Sequence, residues 1–193
     1  MTNAPRKPMT LDELLAWEER QDTRWEFDGF GPVTMAGGTN AHAFIQGNLS
    51  FSLHSRLRGG PCRRYGSDFK IEVDGSIRYP DAFVLCSRLP GSATVTNQPV
   101  VVFEILSPST SRTDRIDRIV KAREYGNTAS IVRYVILEPT AMAATVFTHT
   151  AGLWAGVIVE GAVDLDMPEI GIALPLAELY LDVEFLPDDE AAA

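Results

Sequence analysis

The chain has 193 residues, 45% hydrophobic, 22% charged and 9% aromatic, which suits one globular domain with a sizeable core. Its formal charge of −9 argues against promiscuous nucleic-acid binding, because proteins that rely on phosphate contacts are usually basic, but it leaves room for a local basic face. No apolar run reaches the ~18 residues that span a bilayer, and the opening MTNAPRKPMT lacks a secretory apolar stretch, so a cytoplasmic protein without membrane contact is expected.

Residues 1–9, polar with two prolines, are expected to be flexible. Thr10-Leu11-Asp12-Glu13 spells a capping box and predicts a helix to about Arg20 that buries Leu11, Leu14, Leu15 and Trp17. WEFDGF and PVTMA predict a hairpin turning at Asp28-Gly29. From Asn40 to Leu57 an apolar stripe of Ile45, Leu49, Leu53 and Leu57 predicts a helix, ended by Gly59-Gly60-Pro61. CRRYG, DFKIEV and IRYPDAFVLC read as short strands, with a turn at Asp74-Gly75. Cys62 and Cys86 are too few for a disulfide framework and lack metal-ligand spacing, so reduced cysteines are expected and a structural zinc site is not.

PVVVFEIL is a continuous apolar run, as a central strand covered on both faces requires. After the turn-rich SPSTSRT, residues 114–126 read as a helix with Ile116, Ile119, Val120 and Ala122 inward. IVRYVILE is the next buried strand. ATVFTHT, LWAGVIV and AVDLD suggest a β-meander, followed by a short helix around Pro175–Tyr180. Residues 186–193, with Asp188, Asp189 and Glu190, are expected to be an acidic flexible tail. The expected fold is a single α/β domain over residues 10–185, with a mixed β-sheet core flanked by helices and a hairpin-rich C-terminal part.

Asp81 opens the AFVLC run and Glu104 closes VVVF. Carboxylates so deep in strand patterns are costly unless paired, protonated or bound to a metal. From adjacent strands the two can share a hard cation such as Mg²⁺, which takes few carboxylates plus water. The competing structural explanation is that each caps a loop or pairs with an arginine. Asp117, Lys121 and Tyr125 follow at four-residue steps along one helix face, where an ordinary solvated ion pair is the simpler reading. Glu26 in WEFDG offers a further carboxylate or a hairpin salt bridge. His42 reads as a helix-start hydrogen-bonding residue, and His54 and His149 as surface residues. Basic residues cluster twice, as Arg56, Arg58, Arg63 and Arg64 and as Arg112, Arg115, Arg118, Lys121 and Arg123. Solvated charge is the default, and a phosphate-facing role is the functional alternative, with Arg63, Arg115 and Arg118 as candidates. No Walker loop, GxGxxG, GxSxG or HExxH occurs.

WEFDG, MAGGTNAH, RGGPCRRYGSDFKIEV, RYPDAFVLC, VVFEILSPSTSRTDR, KAREY and RYVILE, with PEIGIALPLAELY towards the end, resemble the Uma-type restriction-endonuclease family of the PD-(D/E)xK nuclease superfamily. The resemblance covers roughly residues 10–185 and implies a restriction-endonuclease-like fold. It implies Asp81 and Glu104 as metal ligands, Glu26 as an additional site carboxylate and Mg²⁺, with Mn²⁺ as an alternative, as cofactor. The superfamily lysine normally stands two residues beyond the strand acid, where this chain has Leu106. The resemblance supplies it from the following helix, as Lys121 between Asp117 and Tyr125. A second alignment places Arg118 there, and an arginine that stays charged is poor at proton transfer. The implied activity is metal-dependent hydrolysis of DNA; the alternative is a nuclease-like fold without cutting activity that binds nucleic acid or regulates. By analogy with restriction-like nucleases, a homodimer is also an expectation.

Overall fold

The computed structural model describes residues 8–34, 38–106 and 112–185, without the side chains of 34 and 112–117. Residues 1–7, the acidic tail 186–193 and most of SPSTSRT therefore lie outside the described residues, as do the side chains of Arg115, Ile116 and Asp117.

The capping box starts α1 (Leu11–Glu18): the Thr10 hydroxyl accepts from the Glu13 N–H at 3.2 Å, and the Glu13 carboxylate accepts from the Thr10 N–H at 2.8 Å. Leu14 is fully buried, with Leu11, Leu15 and Trp17 packed around it. β1 (Trp25–Phe27) and β2 (Pro32–Thr34) form the expected hairpin, with Gly29 at φ +84°, a left-handed value that glycine adopts without a Cβ clash. The four-residue stripe buries Ile45, Leu49, Leu53 and Leu57 beneath α2 (Asn40–Leu57).

Six short strands follow: β3 (Arg63–Gly66), β4 (Lys70–Val73), β5 (Ser76–Arg78), β6 (Ala82–Leu85), β7 (Val95–Thr96) and β8 (Val101–Ile105). Beyond them lie α3 (Arg112–Asn127), β9 (Arg133–Leu137), β10 (Ala143–Thr150), β11 (Leu153–Glu160), β12 (Asp164–Met167), β13 (Ile172–Pro175) and α4 (Leu176–Leu179). The main sheet has six strands in the order β11-β10-β9-β8-β6-β3, and a second has five in the order β2-β1-β5-β4-β7. β8 runs parallel to β9 and antiparallel to β6. A parallel neighbour demands a crossover, which α3 supplies.

The continuous apolar sequence of β8 follows from its place inside the main sheet. Val101, Phe103 and Ile105 join the core beneath α2 and α4, whereas Val102 and the next residue along, Leu106, join Ile71, Phe83 and Tyr125 on the opposite face. Glu104 shares that second face by alternation, which directs it towards α3 and the five-stranded sheet.

Helix α3 keeps only part of the expected inward face, since Ala122 packs against the core but Ile119 does not. Ile119 is 72% exposed, and the side chains turned inward include Glu124 and Tyr125. The inner surface opposite this helix carries charged groups, so an acid and a tyrosine find partners there that isoleucine cannot provide. The C-terminal end of α3 is fixed by aromatic packing that runs from Tyr125 through Tyr134 and Phe147 to Trp154. A Cβ on Gly126 would meet Trp154 Cδ1 at 2.6 Å, so this close approach requires glycine.

Cys62 and Cys86, expected to be reduced, are joined in a disulfide. The β3–β6 register pairs Arg63 with Leu85, and one step further sets Cys62 against Cys86 with 3.9 Å between Cα atoms. A sequence separation of 24 carries no local signal of that pairing. Closing such a loop stabilises by about 3 kcal/mol on a chain-entropy account. Thermal melts with reductant, or of Cys86→Ser, should therefore fall by roughly 6–12 °C.

Candidate active site

Asp81 immediately precedes β6. Ala82 pairs with Phe103, so the same antiparallel register sets Asp81 opposite Glu104. Asp81 Oδ2 accepts from the Ile105 N–H at 2.7 Å. Its Oδ1 accepts from Gln46 Nε2 at 3.0 Å and lies 3.3 Å from His42 Nε2. Both partners come from the first two turns of α2. Burial disfavours the charged imidazole of His42, but Asp81 outweighs that effect and holds it above its usual value.

Lys121 of α3 brings Nζ to 3.4 Å from Glu104 Oε1 and 3.3 Å from Glu26 Oε1. The Tyr125 hydroxyl donates to the same Glu104 oxygen at 3.0 Å. The alternative helix residue, Arg118, one turn earlier, lies near Glu138, whose carboxyl its charge lowers. Of the two candidate cations, Lys121 is the one in contact with Glu104. Burial above all raises the Glu104 carboxyl, Asp81 and Glu26 add to the rise, Lys121 and Tyr125 oppose it, and the balance stands at about 7.

Glu26 comes from β1 and is buried rather than part of a surface hairpin salt bridge. Its Oε1 also accepts from the Tyr79 N–H at 3.2 Å, and its Oε2 lies 3.2 Å from Arg78 Nη1. Arg78 in turn grips Glu124 with Nε and Nη2, each at 2.8 Å, and Ser76 donates to Glu124 at 2.9 Å. Glu26 is thus shared among Arg78, the Tyr79 N–H and Lys121. Asp81 and Glu104 are the carboxylates left for a cation. Among the described residues, no three His, Cys, Asp or Glu side chains are grouped to hold a metal ion. Two facing carboxylate ligands completed by water and substrate oxygen are nevertheless a donor set that Mg²⁺ accepts. A buried acid raised by neighbouring acids is also one that a cation relieves.

Residues 11–183 match the Uma2 family, described as "Putative restriction endonuclease". The chain belongs to the Uma2 family. An uncharacterised protein of Synechocystis sp. is 29% identical over 187 residues, covering 95% of this chain and 97% of that one. A crystal structure from Anabaena variabilis, titled a putative nuclease belonging to DUF820, matches with a TM-score of 0.71 at 18% identity, covering 90% of this chain and 98% of that one. The expected nuclease-like fold, mixed sheets flanked by helices, is the one observed. No helix among the described residues is long and apolar enough to cross a membrane.

Sequence reasoning about this Uma2 chain missed His42, Gln46, Arg78 and Glu124. For Glu124 a signal existed: it lies three residues beyond Lys121, so the lysine's face of α3 carries a second acid. His42 and Gln46 share a face of α2 at a four-residue step, but nothing local tells that Asp81 will meet them. Arg78 gives no such sign, since its strand reads like any exposed one.

Proposed function

We propose that this Uma2 protein is a Mg²⁺- or Mn²⁺-dependent endonuclease that hydrolyses DNA phosphodiester bonds at Asp81 and Glu104. The observation that carries this reading is Lys121 set between buried Glu26 and Glu104, with Glu104 opposite Asp81 across the strand pair. Bound to the two carboxylates, a divalent cation supplies Lewis-acid polarisation of a phosphoryl oxygen and a water of lowered pKa. The Ile105 N–H, Gln46 and His42 hold Asp81 in place, and Tyr125 orients Glu104. Lys121 positions the attacking water and stabilises the charge that grows on the phosphoryl oxygens.

Supercoiled plasmid should be nicked with Mg²⁺ or Mn²⁺ and left intact with chelator. Metal binding without cleavage of any DNA would instead favour a nuclease-like binding module, a reading that the net charge of −9 keeps in play.

Calorimetry supplies a second test with a defined sign. Glu104 keeps its proton up to about 7, so the cation must displace that proton at lower pH. Mg²⁺ affinity should rise roughly tenfold from pH 6 to pH 8, and Asp81→Asn should abolish the binding heat at both. Without metal, stability should decline as pH rises from 4.5 towards 7, because the folded state holds this proton more tightly than the unfolded chain. A pH-independent affinity would show that Glu104 is not a ligand.

A further inference from the structure

A second cavity, of about 440 Å³, lies at the other end of the β3–β6 pair from Asp81. Its walls carry Arg58, Arg63, Arg64, Arg88 and His54, with no acidic residue among its lining. None of these four arginines makes an ion pair or side-chain hydrogen bond with a described residue, whereas Arg56, Arg78 and Arg133 are all paired. Four unpaired guanidiniums around one cavity repel one another, and an anion between them removes that repulsion. Such a concentration of free positive charge is unexpected on a chain of net charge −9. The Cys62–Cys86 disulfide fastens this end of β3 to β6, with Cys62 in the cavity wall and Arg88 two residues beyond Cys86.

The region between the arginines and Asp81 is open as well. A cavity of about 310 Å³ is bounded by Gly66, Ser67, Asp68 and Asp81 on one side and by Ala43, Gln46, Gly47 and Ser50 of α2 on the other. Ala43, Gly47, Ser50, His54 and Arg58 succeed one another at three- and four-residue steps, so the two cavities follow a single face of α2. β3 is the edge strand of the main sheet, and among the described residues no further strand closes its side. The small side chains leave space along the path; Arg64 Nη1 reaches back beside Gly66, close to Asp68, while Arg58, Arg63 and Arg88 line its far end.

We propose that the arginine-lined cavity binds a backbone phosphate of the DNA whose scissile bond lies at Asp81 and Glu104, making the α2–β3 edge the substrate track. The proposal rests on the endonuclease reading and adds to it where the strand runs. From Gly66 to Arg63 is about 10 Å of strand, and from Gln46 to Arg58 about 18 Å of helix. At about 3.4 Å of axial rise per phosphate of one strand, the gripped phosphate lies roughly three to five steps from the cut. Guanidinium forks suit this task, because each meets two phosphate oxygens at once.

The test is fluorescence anisotropy of labelled duplexes in chelator, across a salt series, for wild type and Arg58→Ala/Arg88→Ala, with melts to confirm folding. Both side chains are exposed, so the variant should melt like wild type. Its affinity for a 20-base-pair duplex should fall roughly tenfold, and the slope of log K against log salt should flatten by about one to two. Mg²⁺ binding at Asp81 should be unchanged. Duplexes ending two base pairs from a fixed cut position should be bound equally by both proteins, because they do not reach the arginines. Unchanged affinity and slope in the variant would overturn the track even if wild type binds and nicks DNA. Tight binding of inorganic phosphate, lost in the variant while duplex affinity stays put, would likewise overturn it and assign the cavity to a free anion. If plasmid is never nicked but the arginine-dependent slope persists, the endonuclease reading fails, and the arginine cavity stands as a DNA-phosphate site without a cut to measure from.

Discussion

Lys121→Ala is expected to slow plasmid nicking by about 10²–10³-fold, or about 2.7–4 kcal/mol of transition-state stabilisation. The ammonium lies 3.4 Å from Glu104 and 3.3 Å from Glu26, and its charge lowers a Glu104 carboxyl that burial drives upward. Removing it has two consequences of different kind. The charge facing the phosphoryl oxygens is lost at every pH. Glu104 also titrates higher than in wild type, so cation binding moves to higher pH and part of the defect should be recovered as pH is raised. Arg118→Ala should leave the rate within about threefold, as expected of a half-buried charge whose influence falls on Glu138 and not on Glu104. The reverse pattern would mean that the helix residue has been misassigned. Lys121→Arg separates two roles: it keeps the charge but holds its proton at all pH. Wild-type rates in that variant would leave electrostatics as the lysine's contribution and remove it from proton transfer.

The strands carrying Asp81 and Glu104 are legible because their physics is local. A four-residue apolar step specifies α2, and an uninterrupted apolar run specifies β8 as an inside strand. A carboxylate at the end of each such strand is conspicuous because burial is costly. The position of Lys121 was only half legible. Its spacing to Tyr125 identifies a face of α3, but which face turns towards β8 depends on Tyr134, Phe147 and Trp154 packing beyond Gly126. That information is spread over thirty residues of later sequence. Ile119 shows the cost of reading the helix alone: hydrophobicity points it inward, whereas the buried acids claim that face for Lys121, Glu124 and Tyr125. The disulfide and the arginine-lined cavity fail for a related reason, since both arise from the antiparallel closure of β3 on β6.

Arg78→Leu is expected to cost about 3–5 kcal/mol, the usual penalty for leaving a buried charge without its partner, and to lower the melting temperature by roughly 6–20 °C. Arg78 is 1% exposed and serves two acids at once, Glu124 through a two-pronged contact and Glu26 through Nη1. These contacts keep its guanidinium charged despite burial. Arg78→Lys should recover only part of the loss, because one ammonium cannot reproduce three directed N–H contacts. Replacing both members of the inner pair, as in Arg78→Leu/Glu124→Leu, should recover most of the stability, since a packed apolar pair commonly equals a buried ion pair. Nicking, assayed well below the melting temperature, should not recover with it. Without Arg78, Glu26 keeps only the Tyr79 N–H and Lys121 among its described partners, and the lysine is then drawn towards Glu26 rather than held between two acids. Stability restored without nicking would identify Arg78 as the residue that aims Lys121. If stability and nicking return together, Arg78 acts only as scaffold.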